Sequence, residues 1–73
     1  MANIGVAEIE NWFTYHAPKP EQLPKYERIR EAARAFATVI INETSPCADQ
    51  SAAIRHIRDA VMTANAAIAC EGK

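Results

Sequence analysis

The sequence contains few of the residues that stabilise small proteins or form catalytic motifs. Its 73 residues include two glycines and two cysteines. Two glycines exclude a glycine-rich phosphate loop, and two cysteines do not make a disulfide framework. Cys47 and Cys70 stand at opposite ends of the last helical pattern, roughly 34 Å apart at about 1.5 Å of rise per residue. We therefore expect free thiols, as in a reducing cytoplasm.

The sequence also lacks an excess of charge and a long apolar run. The formal net charge is −1, which does not suggest duplex nucleic acid as a partner, because that partner usually needs a basic stripe. No apolar run approaches the roughly 20 residues of a membrane span, and no signal peptide precedes the first helical pattern. Without disulfides or a metal, self-association remains as the source of stability for so short a chain.

Catalytic and metal-binding patterns are missing as well. The sequence has no nucleophile, base and acid at recognisable spacing and no paired carboxylates in a predicted cleft. His16 and His56 each lack a second histidine or a carboxylate at metal-ligand spacing. We therefore expect no catalytic residue, no metal and no cofactor, and a binding protein rather than an enzyme.

The chain predicts an all-α fold with a single helical-hairpin domain over residues 1–73. The first helix is short and runs from about Asn3 to Trp12. Prolines then impose an extended loop, because proline removes a backbone donor and restricts the residue before it. The second helix is predicted from Pro24, which suits a first turn, to Glu43.

The third helix is predicted to start with Ser45 as its N-cap and Pro46 at its first position, and to stop at Gly72. The short connection between helices two and three makes them an antiparallel αα-hairpin. The apolar stripes that face each other across the hairpin recur at three- and four-residue spacing: Tyr26, Ile29, Ala33, Phe36 and Ile40 on helix two, and Ile54, Ile57, Val61, Ala64 and Ile68 on helix three.

Further apolar residues lie off these stripes: Ala37, Val39, Ile41, Met62, Ala66 and Ala69. Apolar surface left over on a short hairpin usually marks a subunit interface. Helix one covering this surface is the alternative. We expect self-association, and hence a homo-oligomer.

A basic flank on helix two is the first candidate for binding chemistry. Tyr26, Arg30 and Arg34 are spaced i, i+4, i+8 and share one side of the helix. They can form a solvated face that Glu27 and Glu31 neutralise. Alternatively they recognise phosphate, since guanidinium presents a planar fork that matches phosphate oxygens and the helix start adds unpaired N–H groups.

The loop before helix two supplies aromatic and basic side chains. Tyrosine and histidine faces stack on nucleobases, and Lys19 adds positive charge. Asn65, in an alanine-rich tract, is either a polar registry residue at an interface or a ligand contact. A nucleotide is the favoured ligand, and the candidate binding residues are Tyr15, His16, Lys25, Tyr26, Arg30, Arg34, Arg55 and Arg58.

Several segments together resemble the helical-hairpin family of phage anti-CBASS and anti-Thoeris cyclic-nucleotide sponges. They are Phe13-Thr14-Tyr15-His16-Ala17-Pro18 with Gln22, Tyr26-Glu27-Arg28-Ile29-Arg30, Asp49-Gln50-Ser51 with Ala53-Ile54, and Ala60-Val61-Met62 with Ala64-Asn65-Ala66-Ala67-Ile68-Ala69. The resemblance covers about Trp12 to Ala69. The chain ends at Lys73, without the additional sequence of the anti-Thoeris branch, and so resembles the compact anti-CBASS type.

The resemblance implies a homo-oligomer, commonly a hexamer, in the cytoplasm of the host bacterium. It would sequester cyclic dinucleotides such as cyclic GMP-AMP, with cyclic trinucleotides as a second class, and so block anti-phage signalling without cleaving the messenger. Tyr15 matches the loop tyrosine of the family, and Arg30 matches a basic residue early in helix two. The main rival interpretation is a structural or regulatory helical hairpin of a phage with no small-molecule ligand. A second rival is a nucleic-acid-binding module, against which the near-zero net charge argues.

Overall fold

A computed structural model describes residues 4–73, and within that range helices are the only regular secondary structure, without a strand. Helix α1 spans Val6–Phe13, a short 3₁₀ helix spans Pro20–Gln22, α2 spans Leu23–Glu43 and α3 spans Ala48–Ala69. The all-α prediction and the hairpin are confirmed. Asn3, where helix one was predicted to begin, lies outside the described residues. None of the helices in the described range is both long and apolar enough to cross a bilayer.

The prediction for the start of α3 is wrong. Ser45 and Pro46 precede the helix, and its N-cap is Cys47, whose Sγ accepts a hydrogen bond from the backbone N–H of Gln50 at 3.4 Å. The Gln50 side chain reaches back and donates from Nε2 to the carbonyl oxygen of Thr44 at 3.2 Å. These two contacts close the turn between α2 and α3, and they place the N-cap of α3 two residues after the predicted N-cap, Ser45.

Helices α2 and α3 pack against each other through the predicted stripes. All the predicted residues on α3 are half-buried, as are those on α2 with one exception, since Phe36 is 58% exposed. Ala37 and Ala69, predicted to lie off the seam, are half-buried instead. The many alanines let the two backbones approach closely, but small side chains enclose little volume, and no large side chain is fully buried in the described range.

A single chain exposes more surface than a monomeric protein of its mass. It measures 44 × 30 × 20 Å and has 5953 Å² of accessible surface, whereas a folded monomer of 8.0 kDa exposes about 4,450 Å². Phe36, Val39, Ile41 and Met62 are more than half exposed. Helix α1 does not cover them, so the alternative in which helix one shields this surface does not hold for the chain by itself.

Helix α1 lies at the C-terminal end of α3. The indole Nε1 of Trp12 donates a hydrogen bond to the carbonyl oxygen of Lys73 at 3.0 Å. The thiol of Cys70, which is buried, points at the carbonyl oxygen of Asn11 at 4.0 Å. The first turn of α1 is closed by Glu8, whose carboxylate accepts from the backbone N–H of Gly5 at 3.0 Å.

A left-handed turn ends α3. The N–H of Gly72 donates to the carbonyl of Ala67 at 2.9 Å, and the N–H of Glu71 donates to the carbonyl of Ile68 at 3.1 Å. This is the pairing of a Schellman motif. Glu71 has φ 55° and Gly72 has φ 77°, so a side-chain-bearing residue takes the first left-handed position, where glycine is usual. We call residues 68–73 the C-terminal turn.

Gln22 joins the loop to α3. It is 7% exposed, and its Oε1 accepts from the backbone N–H of Lys19 at 2.9 Å while its Nε2 donates to the carbonyl of Ile68 at 3.1 Å. A buried amide with both ends paired fixes the position of each partner. The loop that precedes α2 is therefore anchored on the last turn of α3.

Replacing Gln22 by alanine is expected to lower the free energy of unfolding by about 1–3 kcal/mol, the usual cost of leaving a buried polar group unpaired. The N–H of Lys19 would lose its acceptor and the carbonyl of Ile68 one of its donors. Urea denaturation followed by circular dichroism measures the change. Glu21→Ala is the control, because Glu21 is the exposed neighbour; equal stability of the two variants would contradict the anchoring role.

Candidate functional site

The loop between α1 and α2 separates two surface cavities. One has a volume of about 410 Å³, and we call it the tyrosine cavity; its lining residues are Asn11, Tyr15, His16, Ala17, Lys19, Gln22, Ala69, Cys70, Glu71 and Lys73. The other has a volume of about 710 Å³, and we call it the proline groove; its lining residues are Pro18, Pro20, Leu23, Pro24, Tyr26, Glu27 and Arg30.

The alternation of the loop explains why it serves both cavities. Ala17 and Lys19 line the tyrosine cavity, whereas Pro18 and Pro20 line the proline groove. Lys19 has an extended backbone, with φ −83° and ψ 151°, and successive side chains of an extended chain point to opposite sides. Proline at alternate positions keeps the segment extended. One side of the loop is thus basic and faces the tyrosine cavity, and the other side is apolar and faces the proline groove.

Tyr15 is almost wholly presented to solvent, with 84% of its surface exposed. The backbone around it is nevertheless held in place. Nε2 of the next residue, His16, lies 2.7 Å from the carbonyl oxygen of Asn11, and the Lys19 N–H is held by Gln22. An exposed ring on an anchored backbone can stack on a planar ligand with little loss of conformational freedom.

The charges of the tyrosine cavity come from an ion pair and its neighbours. The Nζ of Lys19 donates a hydrogen bond to the Glu71 carboxylate. This bond, and then the attraction between the charges, raises the pKa of Lys19 above its ordinary value and lowers the pKa of Glu71 below its own. Lys73 and His16 lower the pKa of Glu71 further. Basic groups thus surround one carboxylate.

The two arginines predicted on the flank of α2 have different surroundings. Arg30 lines the proline groove together with the half-buried ring of Tyr26. Arg34 forms an exposed pair with Glu31, with 3.6 Å between Nη1 and Oε1. This pair matches the solvated, neutralised face that was the alternative to phosphate recognition. Within residues 4–73, Arg30 has no such ion pair.

The remaining predicted binding residues line neither of these two cavities. Lys25 lines a third recess, of about 460 Å³, which shares Gln22 and Glu71 with the tyrosine cavity. Arg55 and Arg58 are exposed on α3 and line neither the tyrosine cavity nor the proline groove. One chain therefore does not gather the predicted residues around a single ligand.

The sequence did not indicate the floor of the tyrosine cavity. Asn11, Gln22, Glu71 and Lys73 meet there although α2 and α3 separate the first two from the last two. Only the family resemblance drew attention to Gln22. No short-range sequence pattern links residues so far apart. Predicting that they meet would have required knowing that the end of α3 lies beside the loop.

Two asparagines have enclosed side-chain atoms without a hydrogen-bond partner among residues 4–73: Nδ2 of Asn11, in the tyrosine cavity, and Oδ1 of Asn65, on α3. A buried polar atom without a partner is costly, so each of these atoms lowers the stability of the single chain. The described residues contain no cluster of histidine, cysteine and carboxylate groups that could hold a metal ion.

The exposure of the two tyrosines predicts different effects on stability. Tyr15→Ala should change the free energy of unfolding by less than about 0.5 kcal/mol, as surface substitutions usually do, since its ring is exposed. Tyr26→Ala should cost about 1–2 kcal/mol, because a half-buried ring loses part of its burial. Thermal melting of the two variants side by side measures this; a larger loss for Tyr15→Ala would show that its ring is a packing element.

Comparison with known proteins identifies the family. The family model described as the Acb2/Tad1 hairpin domain matches residues 6–69, from the first residue of α1 to the last residue of α3. No curated protein and no solved structure matches the chain. The chain belongs to the Acb2/Tad1 family, the anti-CBASS and anti-Thoeris sponges, which is known for sequestering cyclic nucleotides. The resemblance found in the sequence is confirmed.

Proposed function

We propose that this member of the family binds and retains cyclic oligonucleotide second messengers without cleaving them, and so blocks bacterial anti-phage signalling in the host cytoplasm. The preferred ligands are cyclic dinucleotides such as cyclic GMP-AMP, with cyclic trinucleotides as a second class. The observation that carries the proposal is Tyr15, an aromatic ring 84% exposed on a loop that buried Gln22 anchors.

Stacking is the first interaction in the proposal. Base stacking on an aromatic side chain tolerates different bases because every base has a π-face. Tyr15 offers such a face beside the Nζ of Lys19 and the ring of His16, which line the same cavity. His16 is held by the Asn11 carbonyl, so its ring adds a fixed edge to the platform.

Phosphate recognition is the second interaction. Arg30 lies early in α2, free of ion pairs within the described range, beside the apolar wall of the proline groove. A guanidinium next to low-polarity surface holds a phosphate more strongly than one in open solvent. Arg34 is already paired with Glu31. Neither cavity is lined by the other basic candidates, Lys25, Arg55 and Arg58. These four residues would contribute long-range attraction or contacts from a second chain.

Two chains provide what one chain lacks. A cyclic dinucleotide has two bases and two phosphates related by an approximate two-fold axis, and a two-fold protein interface supplies each group twice. Each chain exposes more than about 1,000 Å² of surface beyond what a folded monomer of the same mass exposes. Stable interfaces bury an area of this size. We therefore propose a homo-oligomer built from two-fold units, with the hexamer that the family resemblance implies.

Retention of the ligand without cleavage agrees with how the thiol of the tyrosine cavity is directed. The Cys70 thiol is buried and points at the carbonyl of Asn11. It is therefore not placed to attack a phosphodiester. A structural hairpin without a ligand remains the rival, favoured by the solvated Arg34–Glu31 pair.

Substituting the proposed contacts should weaken binding of cyclic GMP-AMP and leave the ligand intact. Tyr15→Ala is expected to cost about 1–3 kcal/mol, the value of one base stack, and Arg30→Ala about 1.5–3 kcal/mol, the value of a hydrogen bond to a charged group. Calorimetry measures both, and chromatography of the recovered ligand tests for cleavage.

Matched controls for these variants lie nearby in the chain. Phe13 is 83% exposed, against 84% for Tyr15, and Arg28 is exposed on α2 but does not line the proline groove. Phe13→Ala and Arg28→Ala should bind as the unmodified protein does. Equal losses from the controls would argue against the proposed contacts. If the protein is folded but binds no cyclic di- or trinucleotide, the structural hairpin without a ligand becomes the preferred interpretation.

Light scattering at micromolar concentration should give a mass of several chains. Phe36→Asp and Met62→Asp should lower that mass, because each places a charge on apolar surface that a partner would cover. Ser51→Asp is the control, since it adds the same charge at an exposed position in the first turn of α3. A monomeric mass for the unmodified protein would refute the oligomer.

A further inference from the structure

Besides the contact of the Cys70 thiol with the Asn11 carbonyl, the C-terminal turn holds the loop and α1 through three further contacts. The carbonyl of Lys73 accepts from Trp12, the carbonyl of Ile68 accepts from Gln22, and the carboxylate of Glu71 pairs with Lys19. The Lys19–Glu71 pair joins residues 52 positions apart; the other ion pair of the described residues, Arg34–Glu31, is local to one helix.

The backbone of Glu71 indicates that its carboxylate matters. Glu71 has φ 55°, in the left-handed region where glycine and asparagine are favoured and other residues are uncommon. Glycine would fit this position without strain but would leave Lys19 without a partner. Gly72, which follows with φ 77° and open space around its α-carbon, lets the chain leave the turn. The residue at the disfavoured position is the one that reaches the loop.

We propose that the Lys19–Glu71 pair is a latch that holds the loop in the position that presents Tyr15, and that Glu71 is therefore a positioning residue for the ligand site. The effect on ligand affinity rests on the function proposed above, whereas the latch itself can be measured without ligand. Lys19 is four residues from Tyr15, and both line the tyrosine cavity with Glu71.

The latch should affect affinity more than stability. Both partners are about half exposed, at 55% and 48% of their side-chain surface, and exposed ion pairs contribute little to folding. A loop that leaves its docked position for part of the time binds more weakly in proportion to the docked fraction. We expect ligand affinity to fall by up to about fivefold when the latch is broken, with little change in the melting temperature.

The latch should open in acid. The hydrogen bond from Lys19 lowers the pKa of Glu71 below its ordinary value, and the charges of Lys19, Lys73 and His16 add to this effect. A carboxylate with a lowered pKa stabilises the folded form above its unfolded pKa, and this contribution is lost as the pH falls through the folded pKa. The charge of Glu21 also acts on Lys19, but the carboxylate that forms the ion pair with Lys19 is that of Glu71.

Tryptophan fluorescence reports the latch without ligand. Trp12 is the single tryptophan of the sequence. The residue is 45% exposed and its indole is hydrogen-bonded to the C-terminal turn, so release of this turn should raise its accessibility further. In the unmodified protein, quenching of Trp12 by acrylamide should rise in one step as the pH is lowered and the latch opens. In Glu71→Gln we expect stronger quenching already at neutral pH, and no such step. Glu31→Gln, which breaks the local pair on α2, should behave as the unmodified protein. Because His16 is an ionisable neighbour of Glu71, the acid titration is repeated in His16→Gln, where the step should persist.

Two further variants separate the latch from general destabilisation. Glu71→Gly removes the carboxylate and the backbone strain together, so it should melt no lower than the unmodified protein but show the same exposed Trp12 as Glu71→Gln. The exchange of charges in Lys19→Glu combined with Glu71→Lys should restore protection of Trp12 and part of the lost affinity for cyclic GMP-AMP. Unaltered Trp12 quenching in both Glu71 variants would overturn the latch.

Calorimetry with cyclic GMP-AMP separates this inference from the proposed function. Binding by the unmodified protein that weakens in Glu71→Gln and Glu71→Gly supports the positioning role. Equal binding by all three proteins overturns the positioning role and leaves the proposed function standing. An unmodified protein whose Trp12 is quenched less than in the Glu71 variants, but which binds no member of a cyclic-nucleotide panel, overturns the proposed function and the positioning role together.

Discussion

The arrangement of this chain depends on the buried amide of Gln22. Its two hydrogen bonds, one to the Lys19 N–H and one to the Ile68 carbonyl, fix where the loop ends and where α2 begins relative to α3. Ile68 also accepts from Glu71 within the C-terminal turn, so a single carbonyl serves both the end of α3 and the start of the hairpin. The tyrosine cavity exists because this contact brings the loop beside that turn.

A polar anchor has this importance because the apolar core is thin. The α2–α3 seam consists largely of alanine and half-buried aliphatic side chains, and residues 4–73 include no large side chain that is fully buried. Such a seam aligns two helices but cannot also fix a proline-rich loop at one end. Hydrogen bonds and an ion pair between the loop and the C-terminal turn perform that task, and the remaining apolar faces are left for contacts outside the chain.

Local patterns in the sequence predicted the helices well and the site only in part. Periodicity and proline placement located α2 to within a residue. The loop was recognised as a source of aromatic side chains, of which Tyr15 is exposed and His16 is half-buried. The start of α3 was missed because a cysteine sulfur at Cys47, rather than the hydroxyl of Ser45, accepts the capping bond. The floor of the tyrosine cavity was missed because its contacts join residues 46 to 61 positions apart, which no helical or strand period encodes.

A stacking residue must satisfy two requirements that oppose each other in a small protein. Its ring has to be exposed before the ligand arrives, and its backbone has to be fixed so that binding does not bear the cost of ordering the loop. Large proteins fix such loops by packing them on an apolar core. Here Tyr15 is exposed, the prolines keep its loop extended, and Gln22, His16 and Lys19 tie that loop to α1 and to the C-terminal turn. Polar contacts therefore take the place of a core, and this makes the loop sensitive to acid and salt in a way that an apolar anchor would not be.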